Sequence, residues 1–266
     1  ESDNLTYSEY ACLTAKTRAT LMPKKNLVEP LRLKKDVQEI AWLKKAAAIT
    51  DAAYAHIVTY IQTHIATGLR EHDVKEELRR FALAAGSEGC GFDTIVAAGA
   101  GSSQPHYISQ NKKLERGEPL LIDMGFLYQG YTADFTRTMF LGTPTPLYTE
   151  IYTLVKECQQ TCLDACRPGI STKEVYTRSL EYFTRSGKES LYLHSLGHGV
   201  GLDVHESPSL SPSGNTILEP GMVITIEPGK KKKKNFGVRI EDLLVITNEG
   251  YELFTKSSKQ LTSIAY

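Results

Sequence analysis

Two aspartates in an apolar stretch are the residues of this chain best placed to do chemistry together. Residues 120–138 form two apolar runs around a glycine-containing turn, with Asp123 in the first run and Asp134 in the second. The pattern predicts a β-hairpin whose loop is residues 127–130. In that register Asp123 faces Asp134, with Cβ atoms roughly 4.5–5.5 Å apart.

Two carboxylates at that separation repel each other. An apolar hairpin accommodates the pair if cations lie between them, and two divalent ions about 3.5–4 Å apart fit such a cradle. The alternative interpretation is a pair of surface aspartates without a partner, because carboxylates are common on half-exposed strands. The hairpin alone leaves both interpretations open.

Three histidines lie within a glycine-punctuated segment further along the chain. His194, His198 and His205 fall within residues 193–208, among glycines that let other groups approach the backbone closely. A single histidine is usually structural. Three of them in this setting favour a site, since neutral imidazole is a common metal ligand and also carries protons near neutral pH.

Two glutamates lie in the apolar strands of the last third of the chain. Glu227 and Glu241 occupy positions whose neighbours indicate a core. An ionised carboxylate that is buried without a partner is strongly disfavoured. Arg239 can neutralise one of these charges, and we expect metal ions to neutralise the others.

The combined set is four carboxylates and one imidazole. Oxygen-rich ligation with a single imidazole favours Mn²⁺, with Co²⁺ or Zn²⁺ as alternatives. We expect Asp134 and Glu241 to bridge two ions. Asp123 would complete the shell of one ion, and His198 and Glu227 that of the other. Water between two such ions loses a proton near neutral pH while the ions polarise a carbonyl, which predicts metal-assisted hydrolysis of an amide.

The elements that must position these residues alternate in a repeated order. A long helix is predicted from Asp36, as its N-cap, towards Gly68, and a second helix from Asp73 to Gly86. A strand at 92–98, a loop with His106 and the hairpin follow. A helix then opens at Pro144 and Pro146 and ends at Pro168-Gly169, another spans residues 172–186, and strands complete the chain. Two helices followed by strands, twice, predict a structural duplication with a cleft between its halves.

Composition bounds the class of protein. The 266 residues are 41% hydrophobic and 23% charged, which is enough to bury a large core, and the formal net charge is zero. We therefore expect no nucleic-acid partner and no membrane partner, and a cytosolic location in the absence of a signal-peptide pattern. Cys158, Cys162 and Cys166 recur every fourth residue, which predicts a buried helical stripe rather than a soft-metal site.

The first 33 residues differ from the rest. They contain Pro23 and Pro30 and show no sustained hydrophobic period. We interpret residues 1–33 as a tail or the remnant of an N-terminal domain, and residues 34–266 as a catalytic domain. Lys230 to Lys234, five consecutive lysines, are interpreted as a solvated loop.

Four motifs carry a family resemblance over roughly residues 30–256. They are Asp-x-Gly-x-x-x-x-Gly-Tyr-x-x-Asp-x-Thr-Arg-Thr at 123–138, His-Gly-x-Gly-Leu-x-x-His-Glu-x-Pro at 198–208, Glu-Pro-Gly at 227–229 and Gly-Val-Arg-Ile-Glu-Asp at 237–242. Together they resemble the pita-bread metallopeptidases, within the aminopeptidase P and Xaa-Pro dipeptidase (prolidase) branch. The resemblance implies an α+β fold with two pseudo-symmetric halves, in which helices pack on a curved, mainly antiparallel sheet.

The resemblance also implies roles for individual residues. Two metal ions would be held by five side chains: Asp123, Asp134, His198, Glu227 and Glu241. Glu227 would in addition help to activate water, and His106 and His205 would contact the scissile group and stabilise the tetrahedral intermediate. The substrate-binding set would be His106, His194, His205 and Arg239, with Arg239 also orienting carboxylate ligands.

These implications lead to a main function and two alternatives. The main expectation is a Xaa-Pro aminopeptidase acting on peptides with proline at the second position, which general peptidases fail to grip because that amide has no N–H. A Xaa-Pro dipeptidase is the alternative. A non-catalytic binding module of the same fold is a further one, and it is disfavoured because every ligand position keeps a ligating side chain. A homodimer is one option for the assembly.

Overall fold

The computed structural model describes residues 5–188, 195–232 and 236–265. Its helices are α1 (Tyr7–Lys16), α2 (Glu29–Arg32), α3 (Val37–His64), α4 (Glu71–Ala84), α5 (Pro146–Ala165) and α6 (Thr172–Arg185). Its first strands are β1 (Gly89–Cys90), β2 (Ile95–Ala98), β3 (Pro119–Met124), β4 (Phe126–Tyr128), β5 (Tyr131–Thr132) and β6 (Phe135–Leu141). The later strands are β7 (Gly197–Gly199), β8 (Glu206–Leu210), β9 (Val223–Ile226), β10 (Gly229–Lys232), β11 (Phe236–Arg239), β12 (Asp242–Ile246), β13 (Tyr251–Leu253) and β14 (Ser263–Ile264). Within these ranges no helix has both the length and the apolar character needed to cross a bilayer.

The long helix α3 begins where its cap predicts. The Asp36 side chain accepts hydrogen bonds from the backbone N–H groups of Gln38 and Glu39, both at 2.8 Å, and the Glu39 carboxylate accepts from the Asp36 N–H. This reciprocal box satisfies N–H groups that have no partner inside the helix. A short 3₁₀ turn continues α3 to Gly68, whose φ of +84° ends it. The predicted boundaries of this helix are confirmed.

Other predicted boundaries shift by a few residues. Helix α4 is capped by Arg70 and not by Asp73, which occupies the third helical position and accepts from the Arg70 N–H at 2.8 Å. The carboxylate therefore serves the helix start from inside the first turn, a role that spacing alone does not separate from capping. Strand β2 begins at Ile95, later than residue 92, and α5 ends at Ala165, before the Pro168-Gly169 pair.

The strands form two main sheets, one in each half of the chain. The first has the order β14-β6-β3-β2, and its core is shared with α3 and α4. The second has the order β13-β12-β9-β7-β8, and its core is shared with α5 and α6. The N-terminal part of α3 packs on the second sheet through Leu43 and Ala47, so one helix spans both halves. The predicted order of two helices and then strands, twice over, is confirmed.

The register of the aspartate hairpin differs from the prediction. Tyr128 pairs with Tyr131, so the turn is only two residues long, and both Gln129 and Gly130 have positive φ, 51° and 75°. This geometry matches the right-handed twist of a hairpin. The shift pairs Asp123 with Thr136 instead of Asp134. The two aspartates are therefore diagonal neighbours, and Asp134 lies between β5 and β6 rather than within a strand.

Two further predictions concern the second half. Cys158, Cys162 and Cys166 are buried in its core, which confirms the structural interpretation of that stripe. The lysine run was expected to be a solvated loop, but residues 229–232 form β10, which pairs with β11. The loop interpretation is therefore wrong for residues 230–232, because strand pairing satisfies their backbone groups. Positions 233 and 234 lie outside the described residues.

The cap of α3 supports a first prediction. Asp36→Ala should lower the free energy of unfolding by about 1 kcal/mol, because two backbone N–H groups lose their acceptor. Asp36→Asn, whose side-chain oxygen can accept the same bonds, is the matched control and should retain most of the stability. Urea titration followed by circular dichroism measures both variants. Equal loss in the two variants would mean that the charge, and not the cap, is responsible.

Candidate metal centre

A pocket of about 550 Å³ opens between the two halves. Its volume falls in the range of small-molecule sites. The charged and imidazole side chains in its wall are His106, Asp123, Asp134, His198, His205, Glu227, Arg239 and Glu241, with Asp93 at the rim. They come from both sheets and from the loops beside them. His194, which was also predicted to bind substrate, lies outside the described residues.

Asp123 lies on β3 and faces Arg239 at the end of β11. The Asp123 Oδ2 atom accepts a hydrogen bond from the Arg239 guanidinium, and both residues are buried. The other oxygen, Oδ1, is buried and has no hydrogen-bond partner in the described part of the chain. A buried carboxylate oxygen without a donor is strongly disfavoured, so this atom fits the expectation that Asp123 binds a cation.

Glu241 joins the two halves at the centre of the site. Its backbone N–H donates to the carbonyl of Thr136 at 3.1 Å, and its carboxylate accepts from the Thr136 hydroxyl at 2.6 Å. Thr136 also accepts from the Arg239 Nε–H at 3.1 Å. The sequence reasoning missed Thr136. The sequence offers one indication of its role, because Thr136 lies two residues after Asp134 and therefore on the same face of the chain.

His198 approaches the carboxylates from the second sheet. Its Nε2 atom lies 3.5 Å from Asp134 Oδ2 and 3.4 Å from Glu227 Oε1. Its Nδ1 atom lies 3.1 Å from the Gly199 carbonyl, an acceptor that favours a proton on Nδ1 and leaves Nε2 to ligate. Glycine is required on either side, because a Cβ at Gly197 or Gly199 would lie 2.1 Å from a carbonyl oxygen of the neighbouring strand.

The cluster suits a divalent cation in its geometry and in its protonation. Single ligand atoms of Asp134, His198 and Glu241 lie within 4.8 Å of one another. Burial raises the pKa values of Asp134 and Glu241 well above the usual range, and repulsion from neighbouring carboxylates raises them further. Burial likewise raises the pKa of Asp123, although Arg239 opposes the shift. These groups repel each other when ionised, and bound cations would relieve that repulsion.

The same carboxylates change the pKa of the His198 imidazole. Burial alone would lower its pKa, but the hydrogen bond to Glu227 and the charge of Asp134 raise it to about 9. The neighbouring ring of His205 lies edge-on at 4.3 Å between centroids. Burial and the proximity of His198 lower the pKa of His205. At neutral pH the two imidazoles are therefore expected to differ in charge.

Two exposed histidines lie at the mouth of the pocket. His106 lies in the loop after β2, and His205 lies directly before β8. The neighbour of His205, Glu206, is held by the Arg32 guanidinium and by the Lys35 amine, the latter at 3.1 Å, both from residues that precede α3. Lys35 is itself buried. This wall of the pocket is thus fixed by charges that come from outside the two sheets.

Comparison with known proteins decides the family. The model of metallopeptidase family M24 matches residues 41–248, which include the five predicted ligands. The chain belongs to this family. The match confirms the prediction of a metal-dependent peptidase.

Individual relatives show the same relationship in more detail. A Xaa-Pro dipeptidase from Bacillus anthracis superimposes with a TM-score of 0.95 at 40% identity, over 99% of this M24 chain and 73% of its own. A Xaa-Pro dipeptidase from Pyrococcus furiosus is 39% identical over 89% of the chain and 67% of its own length. An X-Pro aminopeptidase from Thermotoga maritima superimposes with a TM-score of 0.91 at 31% identity, over 99% of this chain and 74% of its own. The predicted pita-bread fold is confirmed.

Protonation of the cluster generates a second prediction. Without metal, the buried carboxyl groups should bind more protons in the folded than in the unfolded chain at pH values between their ordinary and their raised pKa. The same holds for His198 between pH 6.5 and about pH 9. The stability of the metal-free M24 chain therefore falls as pH rises through this window. We expect the Tm to drop by about 4 °C or more from pH 6 to pH 9.

Calorimetry of the chelator-treated protein measures this slope. Asp134→Asn, which removes one charge from the cluster, should flatten it. Added Mn²⁺ should raise the Tm more at pH 8 than at pH 5.5, since ligands must lose protons to bind. A Tm that rises from pH 6 to pH 9 in the metal-free chain would contradict the assignment.

Proposed function

We propose that this chain is a Xaa-Pro dipeptidase that works with two divalent ions held by Asp123, Asp134, His198, Glu227 and Glu241. The observation that carries the proposal is the convergence of these side chains on one pocket between the two halves. The dipeptide preference is supported by two relatives at 39–40% identity that are named Xaa-Pro dipeptidases, whereas the aminopeptidase compared above is 31% identical. The alternative function is thus favoured over the main expectation.

The donor set also favours a particular metal. Four carboxylates and one imidazole form an oxygen-rich shell, which suits Mn²⁺ better than a metal that prefers thiolates. Asp134 and Glu241 are proposed as the bridging ligands, since each comes from a different half and both adjoin His198. Bound ions would supply Lewis acidity towards the scissile carbonyl and towards an attacking water.

Three protein side chains are proposed to transfer the proton and to bind the substrate. Glu227, 3.4 Å from His198, is proposed to take the proton of the attacking water and to return it to the proline nitrogen as the bond breaks. That return is needed because the proline nitrogen must be protonated to leave as an amine. His205 and His106, exposed at the mouth, are proposed to donate hydrogen bonds to the oxyanion and to hold the substrate.

Arg239 acts at one remove from the reaction. Its guanidinium contacts both Asp123 and Thr136, and Thr136 in turn donates to Glu241. A single cation thereby orients two of the proposed ligands from opposite halves. The cytosolic location and the assembly state expected from the sequence stay predictions.

A substrate comparison tests the proposal. The M24 chain with Mn²⁺ is incubated with Ala-Pro, Ala-Pro-Ala and, as a matched control without proline, Ala-Ala. We expect Ala-Pro to be hydrolysed with a kcat/KM at least about tenfold above that of either other peptide. Equal turnover of Ala-Pro-Ala would restore the aminopeptidase function. No turnover of either proline peptide, with metal bound, would contradict the peptidase function of this chain.

The bridging role of Asp134 is tested by substitution. Asp134→Ala should abolish binding of at least one ion and lower kcat by about a hundredfold or more, because both ions share this ligand. Isothermal titration with Mn²⁺ gives the stoichiometry, and Asp93→Ala, an exposed carboxylate at the pocket rim, controls for a general loss of charge. Full activity of the Asp134 variant would refute the bridge.

A further inference from the structure

The loop that presents His106 is fixed to the body of the protein by the residues next to it. His106 is exposed in the pocket wall, whereas the next residue, Tyr107, is buried. The Tyr107 ring packs on Gly101, where an added Cβ would lie 2.9 Å from it. The position of His106 therefore depends on how firmly Tyr107 and the following backbone are held.

Glu71, at the start of α4, holds this loop at three points. Its Oε1 accepts from the Ala98 N–H at 2.8 Å, where β2 ends and the loop region begins. Its Oε2 accepts from the Tyr107 hydroxyl at 3.0 Å and from the Gln110 N–H at 2.8 Å. One carboxylate thus ties together the chain before His106 and the chain after it.

Adjacent groups add to this attachment. The Glu71 N–H donates to the Lys112 carbonyl at 3.0 Å, and His72 Nε2 lies 2.7 Å from the Ser109 carbonyl. The Ser109 hydroxyl accepts from the Val96 N–H at 2.8 Å. The first turn of α4 and strand β2 therefore hold residues 104–112 in place through hydrogen bonds.

A carboxylate at this position is not explained by packing. Glu71 is fully buried, and burial of an ionised carboxyl group is unfavourable unless its oxygens receive hydrogen bonds. Burial, together with the nearby Glu71 charge, raises the pKa of Tyr107 to about 12, so the hydroxyl keeps its proton and remains a donor. An apolar residue would fill the space without that penalty, but it would leave two backbone N–H groups without acceptors.

We propose that Glu71 is a positioning residue, which acts through its hydrogen bonds to the His106 loop to hold the His106 imidazole in the pocket wall. The proposal rests on the proposed peptidase function, in which His106 contacts the substrate. Glu71 itself lines no part of the pocket. Its effect on catalysis is therefore indirect and depends on His106.

The hydrogen-bond pattern makes Glu71→Gln a sharp test. An amide has one accepting oxygen and one donating nitrogen. If the nitrogen replaces Oε1, it faces the Ala98 N–H; if it replaces Oε2, it faces the Gln110 N–H. Either orientation sets two donors against each other. Tyr107→Phe is the graded partner variant, because it removes the hydrogen bonds from the Tyr107 hydroxyl to Glu71 and leaves both backbone bonds in place.

The first measurement is steady-state kinetics with Ala-Pro and Mn²⁺. Glu71→Gln should lower kcat about tenfold with KM changed less than about twofold, since a small displacement of a group that contacts the transition state acts mainly on kcat. Tyr107→Phe should lower it less. Glu174→Gln is the control, because the Glu174 carboxylate likewise accepts hydrogen bonds at the start of a helix, from the N–H and the hydroxyl of Ser171, and lines no part of the pocket.

A double-mutant cycle tests whether the effect passes through His106. His106→Ala combined with Glu71→Gln should be no slower than His106→Ala alone, because the loop then has no imidazole to position. Additive losses would overturn the proposal. So would wild-type kcat in Glu71→Gln, or a loss in Glu174→Gln as large as that in Glu71→Gln.

Hydrogen exchange of the metal-loaded protein, read by mass spectrometry, separates this proposal from the proposed function. Glu71→Gln should accelerate exchange selectively in residues 104–112, and it should do so whether or not the wild type hydrolyses Ala-Pro. If wild type lacks that activity but the local exchange effect is present, the proposed function fails and the anchoring stands. Unchanged exchange in this loop, or uniform acceleration along the chain, would refute the anchoring.

Discussion

Repulsion among buried carboxylates is the constraint on which this structure depends. Asp123, Asp134 and Glu241 come from both halves of the chain and lie where burial raises their pKa values. Such a cluster of carboxylates is stable only if hydrogen-bond donors bind each carboxylate and if cations neutralise the remaining negative charge. Arg239 and Thr136 supply the fixed donors. The repulsion that these donors do not offset is the reason why we propose that the site binds divalent ions.

The same constraint explains why the interface between the halves is polar at its centre. Arg137, fully buried beside the site, donates to Asp242 and to the Glu241 carbonyl, both at 2.6 Å, and its guanidinium lies over the ring of Phe135 at 4.3 Å. It also binds the carbonyl of Ser257 at 2.8 Å. These bonds hold the backbone of Glu241 independently of its carboxylate, so the ligand can respond to a metal without the halves separating.

Local signals in the sequence predict more of this structure than long-range ones do. Capping at Asp36 and the glycine at the end of α3 are encoded within a few residues, and their predictions are confirmed. The predicted hairpin register was wrong because Gln129 adopts a positive φ, which is uncommon for a residue other than glycine. The role of Glu71 depends on partners 27 to 39 positions away, which no spacing rule connects. The proposed ligands were found because buried acids among apolar residues stand out, whereas Thr136 did not.

The ion pairs at Glu206 give the chain a mechanical property. Arg32 and Lys35 both bind Glu206, the residue next to His205, although Arg32 belongs to the segment that the sequence interpretation separates from the catalytic domain. Displacement of that segment would therefore pull directly on the pocket wall. The position of His205 is thus coupled, through the single carboxylate of Glu206, to residues that lie far from it in the sequence.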